Sequence, residues 1–200
     1  YDFLKDCAAS SLAIRSGVFS GSRRLRGGDL EFFAEVFLTC LFGVGNKKSV
    51  LKDNYESVSR DFESYRDDSI KFLKILDSLE ECIDWKKRTR WSNIVDLYTL
   101  IYALWDLDIC DVDELKKYVN KLIVFQESVN ILKRADGYSD LVDDDILTEL
   151  KNQEISEDYK DSLIEISQDY SEGIRNSSDL AARRKRYAAL KKWLLLEIDN

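Results

Sequence analysis

Three clusters of cations are the residues in this chain of 200 whose types and spacing point most directly to chemistry. Arg23, Arg24 and Arg26 stand between Gly21 and the pair Gly27–Gly28. Guanidinium forks match phosphate oxygens, and flexible glycine flanks let them reach such a partner. Lys86, Lys87, Arg88 and Arg90 lie between Trp85 and Trp91, and cations beside aromatic rings make a surface on which bases stack. Arg183, Arg184, Lys185, Arg186, Lys191 and Lys192 crowd the final helical segment. Helical spacing puts Arg184, Lys191 and Tyr187 near one face, with Arg183 and Arg186 on others. All of these cations except Lys185 and Lys192 form the candidate nucleic-acid interface, with duplex DNA as its partner. A second reading stands beside it: each cluster is a solvated face, or its arginines pair with acids of the same chain.

The remaining chemistry is bounded by what is missing. The chain has no histidine, which removes the commonest general base and metal ligand and rules out Ser-His-Asp and Cys-His sites built from these residues. Gly43-Val44-Gly45-Asn46-Lys47-Lys48-Ser49 departs from phosphate-loop spacing and follows a helix where a strand is required; a helix end and turn explain it better. The acids from Asp106 to Glu114 lack the glycine and one oxygen ligand of a calcium loop, and suit a helix start capped by Asp111. Glu114-Leu115-Lys116 and Glu149-Leu150-Lys151 carry nuclease-like residue types, but on helices rather than on the strands such sites use. Cys7, Cys40, Cys82 and Cys110 are widely spaced; no zinc pairing exists, and buried, reduced thiols in a cytoplasmic setting are expected. No catalytic residue, metal or cofactor is assigned.

The net charge is −8 and the pI about 4.8, so any anionic partner must be met by local patches. Between Asp136 and Glu172 there are 13 acidic residues against 2 basic, Lys151 and Lys160. This is a solvated acidic surface or a docking face for a basic protein. No apolar run approaches the roughly 18–20 residues of a membrane span, and no membrane partner is expected. Tyr1 is preceded by no methionine and followed by no basic start and apolar block, so the chain is expected to be a fragment without a secretory leader.

Apolar residues recur at the helix period through most of the chain. There is no proline, where average usage of about 5% predicts roughly ten. Helices are expected at Asp2–Arg15, Leu30–Phe42, Ser49–Arg60, Phe62–Ile83, from Ser92, at Asp111–Ala135, Asp140–Asn152, Glu157–Ser171 and Ser178–Ile198. A loop is expected at Gly17–Gly28, with Asp29 as the following cap. The stripe Ile70, Leu73, Leu76, Leu79 is expected to face the core. The fold class is all-α, an irregular bundle of about eight or nine helices. Residues 1–135 form the main bundle, and residues 136–200 form an acidic segment and closing basic helix packed on the same domain.

The order of motifs also resembles a known family. Its marks are Arg15-x-Gly17-x-Phe19-Ser20, then Arg23-Arg24-x-Arg26-x-x-Asp29-x-Glu31-Phe32-x-Ala34-Glu35, then Gly43, Asn46-Lys47-Lys48, Leu51 and Tyr55. Arg88-Thr89-Arg90 with Asp96-Leu97-Tyr98-x-Leu100, and Ser178-Asp179 with Arg183-Arg184-x-Arg186-Tyr187-x-x-Leu190, continue it. Together they resemble the helical region of the GmrSD-type family of bacterial restriction and anti-phage defence proteins. The resemblance implies a parent with a ParB-like α/β domain carrying an Asp-Gly-Gln-Gln-Arg motif, tied to nucleotide-dependent nuclease activity, and often a His-Asn-His nuclease domain. Neither motif occurs here, so no catalytic role carries over. What the resemblance implies for this region is a helical scaffold with a DNA-facing surface.

Overall fold

Caps and breaks, more than helix content, shape this molecule. The computed structural model describes residues 2–45, 54–87, 89–135, 157–175 and 179–197. Among them are eleven α-helices, two short 3-10 turns and no strand. The all-α class stands, with more and shorter helices than expected.

The extra helices come from interruptions inside segments that read as continuous. α1 (Asp2–Ala9) and α2 (Ser11–Arg15) part at Ser10, whose hydroxyl accepts from the Ala13 amide at 3.2 Å. Within the expected loop lies α3 (Gly21–Leu25), started by Ser20, which accepts from the Arg23 amide at 3.3 Å. α4 (Gly28–Phe42) begins one residue before Asp29. Its cap position falls to Gly27 at φ 71°, in the left-handed region that glycine occupies without strain. It ends at Gly43, as expected.

α5 (Tyr55–Arg60) is the described part of the helix expected from Ser49. A 3-10 turn, Phe62–Tyr65, leads into α6 (Arg66–Cys82). The buried face of α6 is Ser69, Phe72, Ile75, Leu76, Ser78 and Leu79, whereas Ile70 is exposed and Leu73 half-buried. The expected stripe drifts off the core because steps of three residues fall short of a full turn of 3.6. Two buried serines also hide the true face from a reading of apolar residues alone.

A second 3-10 turn, Arg90–Ser92, precedes α7 (Ile94–Asp106). α8 (Val112–Lys116) starts where expected, with Asp111 accepting from the Glu114 amide at 2.9 Å. The chain breaks again before α9 (Val119–Ala135), so one expected helix is two. α10 (Glu157–Arg175) and α11 (Leu180–Leu195) complete the described fold. The helix expected over Asp140–Asn152 lies outside the described residues.

α7 packs against α4, α6 and α11, and α10 packs against α9 and α11. Phe3, Phe37 and Phe72 meet edge to face or tilted in one part of the core. Trp91, Phe125 and Tyr170 meet in another. Gly173 lets α10 and α11 close up: a β-carbon there would fall 2.8 Å from Arg186 Cγ and 2.9 Å from the Ala182 carbonyl. Among the described residues no helix is long and apolar enough to cross a membrane.

Candidate functional site

The helices converge on a buried layer of charge. Glu35 and Thr39 come from α4, Asp96, Tyr98 and Thr99 from α7, Tyr170 from α10, and Arg183 and Arg186 from α11. Arg183 sits 2.5 Å from the Glu35 carboxylate and donates to the Tyr98 hydroxyl at 3.0 Å, its guanidinium lying over the Tyr98 ring. The Tyr98 hydroxyl is 2.8 Å from that of Thr39. In the adjoining cluster the Tyr170 hydroxyl donates to Asp96 at 2.7 Å, and Arg90 Nε stands 3.3 Å from the other carboxylate oxygen. Arg90 also donates to Asn130 at 3.0 Å. Arg186 donates to the Thr99 hydroxyl at 3.3 Å and to the Gly173 carbonyl.

Burial raises Asp96 above its ordinary value, with Arg90, Tyr170 and Arg186 pulling it back only in part. Burial likewise pushes the Tyr98 phenol up, against the opposing pull of Thr39 and Arg183. These groups answer one another: a buried charge without a partner costs several kcal/mol, so each carboxylate is met by a guanidinium.

This placement corrects the expectation for three candidate residues. Arg90 and Arg183 are each 7% exposed and Arg186 1%, so none presents its guanidinium to a phosphate. The flanking tryptophans also turn inward. Trp91 is buried and stacks with Phe125, while Trp85 donates its indole N–H to the Leu79 carbonyl. Of the central cluster, Lys86 and Lys87 remain at the surface, Lys87 3.4 Å from Asp84, and Arg88 lies outside the described residues.

On the closing helix, internal pairing accounts for much of the rest. Lys185 meets Asp169 at 3.2 Å and also Glu172, and Lys192 meets Glu165 at 3.2 Å. Lys191 and Tyr187 both bind one oxygen of Asp106 at 2.6 Å, tying α11 to α7. Arg184 alone of the candidate residues on this helix is exposed with no ion pair among the described residues. Glu165, Asp169 and Glu172 of α10 are thus engaged by α11, and residues 136–156 of the acidic segment lie outside the described residues.

The first cluster behaves differently. Arg24 folds inward, donating to the Ala8 carbonyl at 2.8 Å and pairing with buried Asp29 at 3.3 Å. Arg23 and Arg26 are exposed and have no ion pair among the described residues. Between them Leu25 is 91% exposed. A β-carbon at position 28 would come within 2.7 Å of Arg23 Cγ, so any other residue there would displace the Arg23 side chain. The result is a short hook fixed by the Ser20 cap, by Gly27–Gly28 and by the Arg24 anchor.

Sequence reasoning missed Glu35 and Tyr98, and Asp96 and Tyr170, as members of these two adjoining clusters. A signal existed for two of them. Glu35 stands inside Phe32-Phe33-Ala34-Glu35-Val36-Phe37, and Asp96 opens an equally apolar helix. A carboxylate within a helix that is apolar all round requires a counter-charge from elsewhere.

The other acids have local roles. Asp108 pairs with Lys71 at 2.6 Å, Lys116 lies 3.5 Å from Asp113, and Glu149-Leu150-Lys151 falls outside the described residues. Among the described residues no group of three or more histidine, cysteine, aspartate or glutamate side chains is placed to hold a metal ion. Comparison with protein-family models, with curated proteins and with solved structures found no match in any of the three.

Proposed function

We propose that this chain is a helical scaffold that contacts duplex DNA through phosphate-binding cations, within a restriction-like defence nuclease whose cleavage chemistry belongs to another domain. The observation that supports this reading is the placement of Arg23 and Arg26. They are exposed, without ion pairs among the described residues, on a hook that Arg24 and Asp29 hold in place. A fixed backbone confines the ordering cost of binding phosphate to the arginine side chains themselves. Lys86, Lys87 and Arg184 are the further surface cations of this reading. The alternative, docking of a basic protein on Asp136–Glu172, has less support, because Glu165, Asp169 and Glu172 already hold lysines of α11.

The test is fluorescence anisotropy of a short labelled duplex over a series of salt concentrations. Wild type should bind with steep salt dependence. The Arg23→Ala/Arg26→Ala variant should bind more weakly, and its salt slope should fall by about 1.8, roughly 0.9 for each phosphate that is no longer neutralised. Absence of binding at low salt, or a slope unchanged by the double substitution, would overturn the proposal.

A further inference from the structure

We infer that the cavity enclosed by α1, α4, α5 and the Phe62–Tyr65 turn is a binding site for a small, neutral, two-ring aromatic molecule that carries one hydroxyl or amine group. Its lining shares no residue with the hook, so it stands or falls independently of the DNA contact.

The cavity holds about 330 Å³. Its walls are aromatic. Phe3 of α1 lies 4.6 Å from Phe37 of α4 and 5.5 Å from Phe62 of the turn, between ring centroids, and Phe37 lies 6.5 Å from Phe62; each pair is tilted. Ala34 and Val58 face the same space from α4 and α5. Ala34 is the one alanine of α4, in a helix that otherwise carries Phe32, Phe33, Val36, Phe37 and Leu38. The space therefore opens where a bulky helix lacks a large side chain. Phe3, Ala34, Phe37 and Val58 are buried, whereas Tyr55 is 39% exposed and Ser59 is exposed, so the last two mark the mouth.

This lining limits the occupant. No lysine, arginine, aspartate or glutamate contributes to it. An ionised molecule would lose its hydration there and meet no counter-charge, so the occupant is neutral. Tilted phenyl rings offer both faces and edges to a further ring, as aromatic pairs prefer. A cavity of about 150 Å³ holds one benzene; this one is larger by about a factor of two, which suits two fused rings. Water is a poor occupant, because each molecule needs roughly two to four polar partners. The side chains supply only the hydroxyls of Tyr55 and Ser59. Neither makes a side-chain hydrogen bond among the described residues. At the mouth they are placed to donate to, or accept from, a single polar group of the molecule within.

The test is isothermal titration calorimetry with 2-naphthol, a two-ring phenol that is neutral at pH 7, beside naphthalene and the anion 2-naphthoate. Wild type should bind one 2-naphthol per chain, and 2-naphthoate roughly tenfold more weakly or worse. Ala34→Leu fills the cavity and should weaken 2-naphthol binding by roughly tenfold or more, while its melting temperature stays at or above that of wild type. Val58→Phe should weaken binding in the same way, so the site remains testable if Ala34→Leu fails to fold. Tyr55→Phe/Ser59→Ala should weaken 2-naphthol about fivefold, the scale of one hydrogen bond, and leave naphthalene unchanged. No heat with 2-naphthol, and no rise in melting temperature in its presence, would overturn the site. Undiminished affinity in Ala34→Leu and Val58→Phe, or equal affinity for 2-naphthoate, would overturn it too, since either places the ligand elsewhere. Undiminished 2-naphthol affinity in Tyr55→Phe/Ser59→Ala would overturn the polar contact at the mouth. A wild-type dimer in sedimentation equilibrium that dissociates in Ala34→Leu, with no 2-naphthol bound, would overturn the site in favour of a second copy of the chain seated on the cavity.

Discussion

Arg183 and Arg23 have the same side chain and opposite fates, which makes them a matched pair for experiment. Arg183 is buried against Glu35 and Tyr98. Truncating one partner of such a pair leaves the other charge buried and unanswered, at a cost of about 3–5 kcal/mol. Arg183→Met should therefore shift the urea midpoint strongly, whereas Arg23→Ala should stay within about 0.5 kcal/mol of wild type. Equal, small effects would show that the buried pair contributes little. Asp106 offers a pH handle. Partial burial alone would raise its carboxyl, but hydrogen bonds from Lys191 and Tyr187 outweigh this and hold it below the ordinary 3.8. A lowered acid contributes stability that is present above the unfolded value and lost as pH falls through the folded one. The melting temperatures of wild type and Asp106→Asn should thus differ most above pH 3.8 and converge as pH falls further. A difference that is constant with pH would contradict the assignment.

Helix boundaries and close approaches are the next level at which the structure can be tested. Gly173→Ala would drive a methyl group against Arg186 Cγ and the Ala182 carbonyl. The carbonyl is backbone and cannot swing aside, so α10 and α11 must separate. A loss of about 1–3 kcal/mol in urea unfolding is expected, typical of overpacking. An unchanged midpoint would mean that the two helices adapt freely. Asp111→Ala removes the cap of α8 and should cost about 1 kcal/mol by the same measurement. Several of these boundaries are legible in the sequence. Gly43 and Asp111 act as the residue types predict. Ser10 and Ser20 act by the same chemistry but do not stand out, because apolar spacing runs on past Ser10 and the glycines around Ser20 resemble a loop.

Across the molecule, the two charge clusters bind α4, α7, α10, α11 and the turn at Arg90–Ser92 into one interior. Segments distant in sequence should consequently unfold together. Trp91 and Trp193 are both buried, on the 3-10 turn and on α11. Tryptophan fluorescence and far-ultraviolet circular dichroism should therefore report one coincident transition in urea. Two separated transitions would show that the interior does not couple these parts. Net charge also acts at this scale. At −8 the whole chain repels a polyanion, and at 0.1 M salt that repulsion is screened beyond about 10 Å. Contact with DNA on the proposed reading therefore depends on the local cations of the hook.

The amino-acid sequence alone determined the helical class, the apolar character of α4 and α7, and the capping roles of Gly43 and Asp111. These follow from local rules: the spacing of apolar side chains, the conformational freedom of glycine and the hydrogen-bonding reach of a short carboxylate. Tertiary structure alone decided which arginines are structural and which reach solvent. Arg183 and Arg186 flank Arg184 in one helix, yet the first two are buried and the third is exposed. No local rule separates them, because an arginine can be buried only where a carboxylate or carbonyl arrives to meet it. Glu35, Asp96 and the Gly173 carbonyl arrive from other helices, and chain folding brings them there.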